Sequence, residues 1–231
     1  MVMSFVLAAK DIAPPTPRTI TLKIVADEEF VSARPDWHIA ARRLLHEVAG
    51  EYKRSFGIAF RIRSLGVWAT NNGAVSLLDI FKELKSQVAS GDCDVVLGFT
   101  AQKSYQKPFF GATSYSSGYL VVQALLPDSI LKFVLRHELG HLLGAVDVAE
   151  ENSIMNPMNW RKTGVFDEFS RRLIVLNRDR VFNPEHPPLS EDRLADAIQV
   201  CLERNALGYA EESVGQMLAF LSRQKSPNPD R

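Results

Sequence analysis

The residues best suited to chemistry lie between Ile130 and Pro157, in the string ILKFVLRHELGHLLGAVDVAEENSIMNP. His137, Glu138 and His141 form an HExxH motif. On an α-helix, residues four apart share a face, so His137 and His141 can offer two imidazoles to one metal with Glu138 beside them. Zinc is the natural candidate, because neutral imidazole nitrogens suit it and two ligands leave its coordination incomplete. A third ligand and a helix stop should therefore follow closely. Gly144 supplies the stop, being a residue that takes a left-handed conformation without a Cβ penalty. Three residues later, Asp147 offers a carboxylate from a side the helix cannot reach.

Average residue usage produces a bare HExxH by accident in about one chain in a hundred of this length, so the longer pattern HExxHxxGxxD carries the weight. The plain alternative is an amphipathic helix that happens to hold two histidines. For the third position, His46, His186 and Glu168 are the alternatives to Asp147; a glutamate on a later helix serves thermolysin-like sites. Gly144 and the segment around Met155 argue for Asp147.

The stretch resembles the metzincin clan of zinc peptidases, whose pattern is HExxHxxGxxH followed by a methionine-containing turn. Ser153-Ile154-Met155-Asn156-Pro157 stands where that Met-turn belongs, at the spacing of matrixin-type members. Asp147 replaces the usual third histidine, as in the snapalysin-like branch. The resemblance implies one catalytic zinc ion held by His137, His141 and Asp147, with the Met155 thioether beneath the site and not bound to it. It further implies peptide-bond hydrolysis by a metal-activated water with Glu138 as general base. Aspartate in place of histidine lowers the formal charge of the site by one, which should move the activity optimum to higher pH. Pro157, Met158 and Asn159 resemble the wall of a substrate pocket, and no tyrosine follows the Met-turn.

The elements that must position these residues follow from hydrophobic periodicity. Thr19 to Val25 alternates as a half-buried strand does, and Trp37, Ala40, Ala41, Leu44, Leu45 and Val48 repeat at helical spacing up to Gly50 or Gly57. Ile58 to Val67 reads as a second strand, Leu77 to Val88 as a second helix, and Cys93 to Phe99 as a buried strand. This strand-helix alternation predicts parallel neighbours in an α/β (α+β) fold. Gly111 to Leu125 is strand-like in its second half. Its LGFT and FFGA surroundings are similar to archaemetzincins, in whose clan the last strand before the active-site helix is the antiparallel edge of a mixed, twisted sheet. Phe166 to Phe182 is expected to form the C-terminal helix of that catalytic domain.

The expected organisation is an N-terminal leader or extended segment (1–18), a metzincin-like catalytic domain (19–183), a helical hairpin (184–224) and a disordered tail (225–231). In the hairpin, Leu194, Ile198, Cys201 and Leu202 lie on one helix and Ala210, Val214, Met217, Leu218 and Leu221 on the next. Such a pair loosely resembles a single tetratricopeptide unit and cannot bury its own apolar face, so it should pack on the protease body or on a protein partner.

Composition bounds the partners. Lysine plus arginine and aspartate plus glutamate number 27 each, which gives no net charge to draw in nucleic acid. No apolar run is long enough to span a membrane. The expected partner is a protein or peptide substrate. Two cysteines, Cys93 and Cys201, read as buried thiols and make no disulfide framework. The opening MVMSFVLAAK has a short apolar run without a basic start, so secreted and cytoplasmic locations both stay open. The alternative to a peptidase is a zinc-stabilised, non-catalytic scaffold that binds partners through the hairpin.

Overall fold

In a computed structural model of the chain, the described residues are 17–102, 110–158, 164–206 and 212–225. A five-stranded mixed sheet in the order β2-β1-β3-β5-β4 organises them. The strands are β1 (Arg18–Asp27), β2 (Ile58–Trp68), β3 (Val95–Thr100), β4 (Gly111–Ser114) and β5 (Tyr119–Gln123). β1, β2, β3 and β5 are mutually parallel, and β4 pairs antiparallel with β5 at the edge. Seven helices are found among the described residues: α1 (Glu28–Ala33), α2 (Trp37–Phe56), α3 (Leu77–Gln87), α4 (Asp128–Leu142), α5 (Glu168–Leu176), α6 (Glu191–Ala206) and α7 (Glu212–Lys225).

Period-two alternation sorts the strand side chains between two cores. Ile20, Leu22, Ile24, Leu97, Phe99, Leu120 and Val122 face α2 and α4 in the larger one. Val25, Val96 and Val121 face α3 in the smaller one, with Trp68, Ile80, Phe81 and Leu84. Gly98 belongs to that second face by parity: a Cβ there would sit 2.7 Å from Leu84 Cδ2, so its absence lets α3 lie close to the sheet. α2 ends where Gly57 adopts φ 64°, and its Tyr52 hydroxyl donates to the Arg136 carbonyl of α4 at 2.6 Å, fixing the two helices together.

Several expectations need correction. The last strand before α4 is β5, which is interior and parallel to β3; the antiparallel edge is the preceding β4. The Gly111 to Leu125 segment folds as a hairpin because Gly118, at φ 71°, turns the chain back. The helix expected over Phe166 to Phe182 is only α5: Asn177 ends it, its backbone N–H and its side-chain amide both donating to Leu173 O. α1 escaped notice, being six residues long with Phe30 its one buried side chain and Asp27 its N-cap. Leu202 is exposed, and the buried stripe of α6 is Leu194, Ala197, Val200 and Cys201.

The hairpin packs on the body. Its buried residues join the larger core, and Arg204 to Glu150, Arg172 to Glu203 and Arg193 to Asp179 tie it down. Cys93 and Cys201 are free, buried thiols. Arg18 already belongs to β1 and Lys225 closes α7, while 1–16, Ala210 and 226–231 lie outside the described residues. No helix among the described residues is long and apolar enough to cross a membrane.

Candidate metal centre and active-site cleft

α4 carries the HExxH residues on its C-terminal half, with His137 and Glu138 buried. The helix stops after Leu142. Gly144 takes φ 84°, and Ala145 N–H bonds back to Gly140 O at 3.0 Å, closing the last turn. No other residue fits this position well, because a Cβ on Gly144 would also come within 2.8 Å of Asn177 Cγ. The chain then returns beneath the helix, and Val148 N–H donates to Met155 O at 3.0 Å. Ser153 braces the turn around Met155 by donating to Asp167 Oδ2 at 2.6 Å and accepting from Met155 N–H at 3.0 Å.

These two loops orient the histidines. His137 Nδ1 lies 2.9 Å from Ile154 O, and His141 Nδ1 lies 3.0 Å from Ala145 O. A carbonyl only accepts, so each Nδ1 carries the proton and each Nε2 presents a lone pair. The two Nε2 atoms are 2.9 Å apart, and Asp147 Oδ1 lies 3.3 Å from both. With both rings neutral, three acceptor atoms thus converge without a protein donor among them. A positive charge shared among them, whether a proton or a metal ion, relieves such an arrangement. Ligand bonds of about 2.0–2.2 Å in a tetrahedron give edges of about 3.3–3.6 Å; the two histidine–aspartate spacings of 3.3 Å match a zinc-sized ion, and the two imidazoles, 2.9 Å apart, would part slightly to admit it.

The electrostatics agree. Burial alone would lower the pKa of His141, but its hydrogen bond to Asp147, followed by the charges of Glu138 and Asp147, outweighs it and raises the value to about 9. Burial would raise the pKa of Asp147, yet the two imidazoles hold it well below the usual carboxylate range. The site therefore holds a proton tightly when no stronger cation competes.

Glu138 is anchored by the edge strand. Thr113 Oγ1 donates to Glu138 Oε2 at 2.5 Å and lies 3.2 Å from Glu138 O. Gly111, two residues before, leaves room for that carboxylate: a Cβ there would lie 2.5 Å from both Cγ and Cδ of Glu138. A second brace is Arg180, almost fully buried, whose guanidinium donates to Leu142 O at 2.8 Å and to Tyr115 O while stacking on the Tyr115 ring at 3.7 Å. It fastens the end of α4 to the β4–β5 turn, and burial pushes its pKa down to about 10.

His137, Glu138, His141 and Asp147 open into one cleft of about 510 Å³, walled by Gly111 to Thr113, Tyr115, Val146 and Pro157, and also by Ser213, Gln216, Met217 and Phe220 of α7. Of the expected pocket residues, Pro157 lines the cleft, Met158 is 82% exposed and does not, and Asn159 lies outside the described residues. His46, His186 and Glu168 are exposed and join no metal-ligating group among the described residues. Sequence reading missed Gly111, Thr113 and the α7 residues, for which no local motif exists.

Comparison with known proteins adds to this geometry. The chain is similar to the crystal structure of archaemetzincin from Methanopyrus kandleri, at 19% identity and a TM-score of 0.53 over 71% of this chain and 97% of that one. It is also similar in fold to a chain in the structure of a chaperone-substrate complex, at 14% identity and a TM-score of 0.51 over 71% of this chain and 35% of that one. No curated protein matches the sequence. The sequence model of Metallo-peptidase family M12 matches residues 16–158, more than half of the chain and including the whole of the convergent cluster. The fold is thus like that of archaemetzincin, and because the family model spans more than half of the sequence, with the partly buried His/His/Asp centre inside the matched span, this chain belongs to Metallo-peptidase family M12.

Proposed function

We propose that the chain is a zinc-dependent endopeptidase of metzincin type, in which His137, His141 and Asp147 hold one ion and Glu138 is the general base. The observation that carries this reading is the convergence of three lone-pair atoms 2.9–3.3 Å apart, with a carboxylate beside them in an open cleft. Zinc bound there would supply a Lewis acid and lower the pKa of a bound water. His137 and His141 act as neutral ligands, their Nδ1 protons being committed to Ile154 O and Ala145 O. Glu138, its carboxylate steadied by Thr113, accepts a proton from water in the cleft and returns it to the leaving amine. Among the described residues β4 ends the sheet, so its outer row of peptide groups would be open to an extended peptide, added as a further strand along the cleft.

The scaffold reading is weaker. A structural zinc site fills all four positions with protein ligands, whereas three such residues group here among the described residues. The hairpin also buries its apolar stripe in the protein's own core, so it needs no partner for that purpose.

The test is hydrolysis of quenched peptides or casein by zinc-loaded wild type and Glu138→Ala, with zinc content measured in both. Activity in wild type, lost in Glu138→Ala at equal zinc, supports the peptidase. Equal activity in both removes Glu138 from the chemistry, and inactivity in both supports the scaffold.

A further inference from the structure

The family match ends at residue 158, yet the cleft is completed by residues far beyond it. Ser213, Gln216, Met217 and Phe220 follow one another at i, i+3, i+4 and i+7, the spacing of one helical face. That face of α7 borders the cavity that holds His137 and Glu138. The adjoining face is occupied differently: Val214 and Leu221 are buried in the main core and hold the helix in place. Phe220 packs edge-on against Tyr115, with ring centroids 5.3 Å apart, and Tyr115 follows directly on β4, the strand available to a substrate backbone. Tyr115 is itself fixed from two sides, its hydroxyl donating to Asn177 Oδ1 at 2.6 Å and its ring lying under Arg180. The wall is therefore apolar and rigidly supported on the Tyr115 side.

We propose that α7 forms a substrate subsite in which Tyr115, Met217 and Phe220 receive a large apolar side chain close to the scissile bond. This rests on the peptidase reading above and names part of its substrate class. In an extended strand, successive side chains project to opposite faces of the sheet, so a peptide paired along β4 turns every second residue to one face, where it can meet a wall of the cleft. A wall of two aromatic rings and a thioether favours aliphatic or aromatic groups over charged ones, which would lose hydration there without a partner. The C-terminal hairpin is on this account part of the catalytic apparatus, and its docking on the body sets specificity.

The test uses the full chain loaded with zinc. Casein is digested by wild type, by Met217→Ala/Phe220→Ala and by Gln216→Trp, and the cleavage sites are mapped by mass spectrometry. Gln216→Trp leaves Val214 and Leu221 untouched and narrows the cleft, so it keeps the test informative if the double variant loosens α7. Wild type is expected to favour a large apolar residue at one position flanking the cut by about tenfold or more in kcat/KM. The double variant should lose that preference, with large-apolar and small-residue sites cut at comparable kcat/KM, and Gln216→Trp should shift it toward small residues. An unchanged preference in both variants, or none in wild type, overturns the subsite and leaves the peptidase reading standing. A uniform rise at all sites overturns it as well, by making α7 a lid. Absence of any cleavage by zinc-loaded wild type removes both readings together.

Discussion

Met155 Sδ occupies the space that a side chain at Gly140 would need: a Cβ on Gly140 would lie 2.5 Å from the sulfur and 3.2 Å from Phe166 Cε1. Gly140 sits between the two histidines in the chain, and Met155 is fully buried. The active-site helix therefore rests directly on the Met155 turn, whose neighbour Ile154 supplies the carbonyl that orients His137.

Gly140→Ala should destabilise the protein by about 1–3 kcal/mol, the usual cost of forcing a methyl group into a filled core. Urea denaturation of the metal-free protein measures it. A midpoint equal to wild type would mean that the thioether moves aside freely.

The Thr113 bond to Glu138 predicts a kinetic signature. Thr113→Val keeps the shape and removes the hydroxyl; kcat should fall about 10- to 100-fold with KM and zinc content little changed, as expected for losing a hydrogen bond to a charged group. Thr113→Ser should restore most of the rate. Gly111→Ala, which displaces the carboxylate, should be worse than Thr113→Val. A rise in KM alone would assign Thr113 to substrate binding.

Metal binding must displace the proton that the site otherwise holds. His141, raised from 6.5 to about 9, adds stability to the metal-free protein fully below pH 6.5 and loses it as pH climbs through about 9. Asp147, depressed from 3.8, adds stability above that value and loses it as pH falls through its lower folded value. The cluster is thus most stabilising between about pH 4 and 6.5. Zinc affinity should run the other way and increase with pH toward about 9, with roughly one proton released per ion near neutrality. Calorimetry in buffers of different ionisation enthalpy reads this release, and buffer-independent heats would count against the cluster as the binding site.

Arg180→Met should cost on the order of 2–4 kcal/mol, because the carbonyls of Leu142 and Tyr115 lose a buried donor. Thermal melting checks it. A variant as stable as wild type would show that the clamp between α4 and the β4–β5 turn is dispensable.

What the sequence made legible was the part encoded locally. The i, i+4 histidines, Gly144 at its positive φ, and Asp147 three residues on all fall within one short stretch, and helical geometry alone brings two of the three acceptors together. The alternation of strands with helices likewise predicted the parallel core, since parallel neighbours need a crossover between them. What stayed hidden depends on distant contacts. Thr113 meets Glu138 across 25 positions, and Tyr115 meets Phe220 across far more. The carbonyls of Ile154 and Ala145 are backbone atoms, so no residue type announces them. The end of α5 was missed because Asn177 is an ordinary polar residue until its amide is seen bonding to Leu173 and Tyr115.

The most direct measurement is X-ray absorption at the zinc edge on the loaded protein and on Asp147→Ala. The account predicts about four nitrogen or oxygen neighbours at roughly 2.0–2.2 Å, outer-shell scattering from two imidazoles, and a changed first shell with weaker zinc retention in the variant. A sulfur neighbour at about 2.3 Å, or a spectrum identical in Asp147→Ala, would contradict it.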